Sequence, residues 1–356
     1  MTHFKTFILS CLLALAAFPA TAKDADFTVD GFGYSITSTT SLTVKVASGP
    51  NKADVTVPST VVFNNRTFRV TGISNDAFQN HTELRSVDMP SISYIQDGYY
   101  EYEYDMPKGA FTGCSNLSDV NMPAATSIGN FAFYRCPALT SVSLPVATFI
   151  GYGAFWYCYA LASVSLPAAT SIGDDAFSGC PALTSVSLPA ATSIGSEAFR
   201  DCDALASISL PVATRISSGA FYDCSSLCDI YVGDQPAQCS DDPFSKVTYA
   251  TATLHVPTGC ASKYKAANHW KYFTFISEDY DPTGIKSTKV NDVKIYTDNG
   301  SVQLTGLKEG EKVVLYSLDG KLIGAQKANS GTISITTSEP VVICKMGGKS
   351  IKILVK

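Results

Sequence analysis

Apolar positions in the middle of this chain return in a fixed order. Leu117, Leu139, Leu161, Leu183, Leu205 and Leu227 recur every 22 residues. Pro123, Pro145, Pro167, Pro189 and Pro211 keep the same phase, as do Phe133, Phe155, Phe177, Phe199 and Phe221 and the cysteines at 114, 136, 158, 180, 202 and 224. Within one period, Leu183-Thr-Ser-Val186-Ser-Leu188-Pro189 alternates apolar and polar residues, which predicts a short strand half buried against a core. Pro189 ends that strand, because its missing amide falls where a ladder stops. Ile194-Gly195 predicts a second short extended piece, and Ala198-Phe199 closes the turn of chain. A unit this short buries too little surface to fold alone. Stacked units build continuous ladders of Leu, Val, Phe and Ala and share stability between neighbours. The expected fold is therefore mostly β: a leucine-rich-repeat solenoid of about nine coils, with rungs beginning at 55, 84, 117, 139, 161, 183, 205, 227 and 253. At ~4.8 Å per coil its body is about 38 Å long.

Departures from the pattern mark the ends and one insertion. Residues 23–71 read as a cap and first coil. In it Phe27–Tyr34 and Thr43–Val46 form a hairpin or meander, and Val61–Val70 a hairpin turning at Asn64-Asn65. The solenoid proper, with its C-terminal cap, is assigned to 72–280. Tyr264, Trp270 and Phe273 are placed to cover its open end. After Pro90 about eleven extra residues intervene before Phe111, a loop or short hairpin leaving the regular body. Asp281-Pro-Thr-Gly284 is a turn-rich junction, and 286–356 shows six short alternating segments that fit a small β-sandwich.

Charge divides the chain in the same way. The formal net charge is −5, yet residues 23–285 hold 14 basic against 25 acidic side chains, and 286–356 hold 11 lysines against 6 acidic ones. The basic tail is diffuse and lacks an arginine-rich focus, so no nucleic-acid partner is expected. Residues 1–22 read as a signal peptide: Lys5, an apolar run over Phe7–Phe18, and Ala20-Thr-Ala22 as a cleavage site. That run is too short for a membrane span, so the mature chain is expected to be exported and not membrane-spanning.

Candidate chemistry is sparse. The four histidines join no acid–nucleophile constellation, and the chain has no HExxH, G-x-S-x-G or phosphate-binding glycine loop, so an enzyme is not expected. One thiol per rung does not assemble a tetrahedral zinc site. The cysteine ladder is read as buried free thiols, with no metal and no cofactor. Cys228, Cys239 and Cys260 lie off the ladder, where a disulfide between two of them is an open alternative for an exported chain. Asp174, Asp175, Asp201, Asp203 and Asp223 look like solvated turns. The insertion is the strongest binding candidate. It carries Tyr94, Tyr99, Tyr100, Tyr102 and Tyr104 among acidic residues, and tyrosine joins a large apolar face to a polar handle. The alternative is that this hairpin only packs across its own coil. Trp156, with Tyr157 and Tyr159, stands where other coils carry small or polar residues. It is read either as part of an exposed aromatic patch or as packing against flanking coils.

The repeat resembles the BspA-like leucine-rich repeat family, a Treponema pallidum-type repeat, through Cys136-Pro-Ala-Leu139-Thr-Ser-Val142-Ser-Leu144-Pro145, Ile150-Gly151 and Ala154-Phe155. Gly31-Phe-Gly-Tyr34 resembles its lead-in, and Leu254-His-Val-Pro257, Tyr264, Trp270 and Phe273 its cap. Residues 286–356 resemble the short sorting or accessory domains of exported Bacteroidetes proteins through Val314-Leu-Tyr-Ser-Leu-Asp-Gly320-Lys, although Val342-Ile-Cys344-Lys departs from the usual glycine-led ending. The resemblance implies surface attachment by binding host matrix proteins or other cells, and it brings no catalytic residues. The expected function is an extracellular or cell-surface adhesion module for a host matrix protein or surface polysaccharide. The alternative is a structural envelope spacer that self-associates.

Overall fold

The computed structural model describes residues 25–102 and 106–280, and within the C-terminal region 288–290, 293–298, 301–317, 321–337, 341–346 and 349–354. The signal peptide assigned to 1–22 and Tyr104 lie outside the described residues.

Each coil has three sides. On the first, the Leu-x-x-Val-x-Leu segments form short parallel rungs in register, with Val142 beside Val164 and Val164 beside Val186. The valines are buried or nearly so, while the flanking serines face solvent. A tenth rung, Phe275–Tyr280, pairs in parallel with Thr253–Pro257 and extends the nine expected. The repeat spacing hid it, because a capping helix and turn replace the rest of its coil. On the second side, two-residue strands such as Ser171–Ile172 and Ser193–Ile194 stack in register with every isoleucine inward. This ladder continues into the N-terminal meander of Phe27–Val29, Phe32–Ser38 and Thr43–Ser48. The hairpin of Thr60–Phe63 and Arg66–Ile73 turns at Asn64 and Asn65, both in the left-handed region at φ 49° and 58°, as a two-residue hairpin turn requires.

The third side carries the phenylalanine column. Phe78, Phe111, Phe133, Phe155, Phe177, Phe199, Phe221 and Phe244 are all buried. They stack with ring centroids 5.0 to 5.4 Å apart and planes within 13° of parallel. Backbone bonds lock the stack coil to coil: the amide of Phe155 donates to Ala176 O at 2.8 Å and that of Phe177 to Ala198 O at 2.7 Å. Each ladder thiol donates to a phenylalanine carbonyl one coil back. Examples are Cys136 Sγ to Phe111 O at 3.1 Å and Cys224 Sγ to Phe199 O at 3.0 Å. Burial pushes the Cys114, Cys158 and Cys224 thiols up to about 12. They are apolar core groups with a satisfied donor. All ten cysteines among the described residues are free, Cys228, Cys239 and Cys260 included.

The C-terminal end is closed by aromatic side chains. Ser245 caps the helix Lys246–Thr251 by accepting from the Thr248 amide at 3.2 Å. A second helix, Ala261–Ala266, presents Tyr264, whose hydroxyl lies between the carbonyls of Gly233 and Gln235 at 2.8 and 3.0 Å. Trp270 Nε1 donates to Ala237 O at 2.8 Å. With Phe273, both rings are buried over the last coil.

The C-terminal region has a separate core of Val302, Leu304, Val313, Leu315, Val342 and Cys344, among others, between two four-stranded sheets. Among the described residues eight strands replace the six expected, the additions being Thr288–Val290 and Leu322–Lys327. Leu322–Lys327 is an exposed edge strand interrupted by Gly324, so little apolar alternation announces it. Among the described residues no helix is long and apolar enough to cross a membrane.

Candidate functional site

The strand side is chemically uniform over its middle coils, whereas the outward positions of the second side vary through Tyr94, Ser127, Phe149, Ser171, Ser193 and Arg215. Thr148, Thr170, Thr192 and Thr214 form a column one coil apart. Each hydroxyl donates to the carbonyl of the threonine one coil back, at 3.0 to 3.3 Å. The serine pairs of the rungs repeat without variation from Ser141 to Ser187. Variation is also marked at the turns around the phenylalanine column, at the unassigned positions of Ile-Gly-x-x-Ala-Phe-x-x-Cys-x.

Those turns force the backbone into the left-handed region twice per coil. Phe131, Gly153, Asp175, Glu197 and Gly219 occupy the first such position, at φ 52° to 63°. Arg135, Tyr157, Gly179, Asp201 and Asp223 occupy the second, at φ 55° to 66°. For a bulky residue this conformation costs roughly 1–2 kcal/mol, and glycine or a short acidic residue is the expected occupant. Phe131 and Tyr157 are held there by packing onto glycine in the next coil. A methyl placed on Gly153 would lie 3.0 Å from the Phe131 ring, and one on Gly179 only 2.4 Å from that of Tyr157. The Phe131 and Tyr157 rings thus each cover the bare backbone of a glycine in the next coil.

The rings form one continuous band. Tyr102 lies 5.3 Å from Tyr100, and Tyr100 is 6.5 Å from Phe131. Phe131 meets Tyr152 edge-on at 4.8 Å and Tyr134 at 6.2 Å. Tyr134 reaches Trp156 at 5.4 Å, Trp156 stacks on Tyr157 at 5.0 Å, and Tyr157 on Tyr159 at 5.8 Å. Phe131 and Tyr134 are buried and form the floor. Tyr102 is 89% exposed, Tyr159 51% and Tyr99 46%, with Tyr152 also open to solvent.

The insertion thus joins the turn ridge. Tyr99–Glu101 pairs antiparallel with Met106–Lys108, and Lys108 forms an ion pair with Glu101. Tyr99, Tyr100 and Tyr102 stand on this hairpin, and Tyr100 links it to Trp156 through Phe131 and Tyr134. Tyr94 stands apart: it belongs to the second-side ladder beside Ser127, with its ring against the bare backbone of Gly72. Its side chain is half-buried there. Phe131, Tyr134 and Tyr152 were not singled out from the sequence. Comparing the same repeat position from coil to coil reveals them, since each replaces a small or polar residue found in later coils.

Beyond Tyr159 the same positions turn acidic: Asp174, Asp175, Glu197, Asp201, Asp203 and Asp223. Arg200 lies among them, bonded to Glu197 Oε2 at 2.8 Å and 3.6 Å from Asp201 Oδ2. Burial, then the Glu197 charge, pushes the Asp175 carboxyl up to about 6. Burial, reinforced by Asp175, Asp174 and Glu197, raises the Tyr152 hydroxyl as well. The negative field therefore reaches into the aromatic band.

The profile described as BspA type Leucine rich repeat region matches six copies, over 58–159, 104–191 and 148–262. The chain belongs to this family. Repeats of this type are scaffolds for extracellular binding and adhesion, not catalysis. Similar solved structures include a leucine rich cell surface protein from Faecalibacterium prausnitzii A2-165, 17% identical, covering 70% of this chain and 94% of that one at a TM-score of 0.44. The T. pallidum Leucine Rich Repeat protein is 21% identical, covering 71% and 98% at 0.40. A leucine-rich repeat protein from Bacteroides ovatus ATCC 8483 is 17% identical, covering 71% and 99% at 0.26. No curated protein matches the chain.

Proposed function

We propose that this protein is an exported adhesion module that binds a host matrix protein or surface polysaccharide through the aromatic ridge. The observation carrying this reading is the unbroken series of ring contacts from Tyr102 to Tyr159, with exposed rings above a buried floor. Rigid aromatic side chains give large contact area at low entropic cost. The solenoid beneath holds them without moving parts.

The test is a binding screen of the exported chain against immobilised matrix proteins and polysaccharides, beside the variant Tyr102→Ser/Tyr152→Ser/Tyr159→Ser. These three rings are exposed, so the fold should survive. Loss of binding in a variant that melts like the parent supports the ridge. Retained binding overturns it and moves the search to the serine-lined rungs.

A further inference from the structure

The ridge changes character along the solenoid. Of the positions that are aromatic in the coils of Phe133 and Phe155, two carry Asp174 and Asp175 in the coil of Phe177 and three carry Glu197, Asp201 and Asp203 in the coil of Phe199, while the Tyr134 and Trp156 position holds Ser178 and Arg200. A neutral sugar chain would stack on the rings but bring no charge to the carboxylates, and an acidic polymer would be repelled. The ridge also seats its own cations in one recurring way. The Arg135 guanidinium lies 5.2 Å from the Tyr134 ring centre and 5.9 Å from that of Tyr157. Lys108 Nζ lies 5.8 Å from the Tyr99 ring, and Arg200 lies 6.0 Å from Tyr222 while bonded to Glu197. Lysine and arginine on ring faces, with a carboxylate beside Lys108 and Arg200, are thus the chemistry this surface already accepts.

We infer that the ridge takes an extended lysine- or arginine-rich segment of a partner protein, its cationic side chains lying first on the rings and then against the carboxylates. This rests on the reading that the aromatic band is the binding surface, and it narrows the partner to a basic polypeptide. From Phe111 to Phe221 the stacked rings advance by 5.0 to 5.3 Å per coil. Five such steps match about eight residues of extended chain at ~3.3 Å each.

The experiment measures fluorescence anisotropy of three labelled probes on the full exported chain: a lysine–serine copeptide, a glutamate–serine copeptide of equal length, and a neutral glucan. Asp174→Asn/Asp203→Asn/Asp223→Asn lowers the charge of the ridge while keeping each oxygen acceptor. Asp54→Asn/Asp88→Asn/Asp119→Asn makes the same charge change on the strand side. The lysine copeptide alone should bind. Its affinity should fall about tenfold in the ridge variant and at higher salt, and stay near the parent value in the strand-side variant. Equal loss in both variants would reduce the effect to general attraction and overturn the inference. Glucan binding that needs Tyr102, Tyr152 and Tyr159 but ignores the carboxylates would overturn the basic partner while leaving the aromatic site intact. Lysine-copeptide binding unchanged by loss of those three rings would overturn the site itself. Parent self-association abolished by the ridge variant would assign the surface to the lysine-rich C-terminal region of a second copy, and so overturn a separate partner.

Discussion

The strand side and the turn ridge are built from the same repeat, by the same coils, and they differ in what varies. On the strand side, Ser141-Val-Ser143 becomes Ser163-Val-Ser165 and then Ser185-Val-Ser187 without change. On the ridge, Phe131 becomes Gly153 and then Asp175, while Arg135 becomes Tyr157 and then Gly179. In these coils both sides cover the same ladders of Leu, Phe and Cys, so packing alone would not make one uniform and the other diverse, although the earlier strand-side rungs carry Asp54, Asp88 and Asp119. Sameness here reports what stacking needs. Diversity at positions of equal geometry, including aromatic residues in a strained backbone conformation, reports a second demand on the surface.

The sharpest way to break that comparison is to disturb each side separately. Phe177 is fully buried between Phe155 and Phe199, at 5.2 Å from each. Phe177→Ala should cost about 3–5 kcal/mol, because the stack on either side cannot collapse into the gap. Ser185→Ala, on the exposed strand side, should stay within about 0.5 kcal/mol. Urea denaturation followed by circular dichroism measures both. Comparable losses would mean that the strand-side hydroxyls are structural and that the uniform side is not inert.

A smaller effect tests whether the ridge is arranged around its rings. Gly179 has φ 66°, and its missing side chain leaves room for the Tyr157 ring. Gly179→Ala should destabilise by about 2 kcal/mol, part from the left-handed backbone and part from the ring. In a Tyr157→Ala background the same change should cost only about 1 kcal/mol, the backbone share alone. A double-mutant cycle with no coupling would show that Tyr157 does not rest on Gly179.

Much of this molecule was legible in sequence because a solenoid writes its core once per coil. The period, the inward leucines and phenylalanines, the buried thiols, the Asn64-Asn65 hairpin and the aromatic cap all follow from local pattern. The rung Phe275–Tyr280 escaped because it pairs with Thr253–Pro257 across a helix and a turn, outside the period. The site was legible only in pieces. The tyrosine hairpin and Trp156 each stood out, yet the contacts of Phe131 with Tyr152 and of Tyr134 with Trp156, which help bridge them, join residues about one period apart and form only when coils stack. Tyr94 has the hairpin tyrosines as its neighbours in sequence, while in space it lies against Gly72. The aspartates of the later coils read as solvated turns singly, and only their shared position with the rings gives them a collective charge.

The smallest expected effect concerns that charge. Burial and the Glu197 charge hold the Asp175 carboxyl at about 6, above the ordinary carboxylate range, while a hydrogen bond from Ser178 opposes them. A carboxyl raised in the folded state binds its proton more tightly there than in the unfolded chain. Its contribution to stability is therefore full at low pH and is lost as pH rises from about 4 through about 6. Asp175→Asn keeps an acceptor for Ser178 and removes the ionisation. It should raise stability by about 1 kcal/mol at about pH 7.5, allowing for solvent screening of a half-buried group, and change it little at about pH 3.5. Glu197→Gln should shrink the same pH dependence in the parent by removing the neighbouring charge. An Asp175→Asn gain that is equal at both pH values would mean that packing, not charge, strains this position. The strand side, with serine where the ridge has carboxylates, offers no titrating group in these coils, so the corresponding Ser185→Ala variant should show the parent's pH profile.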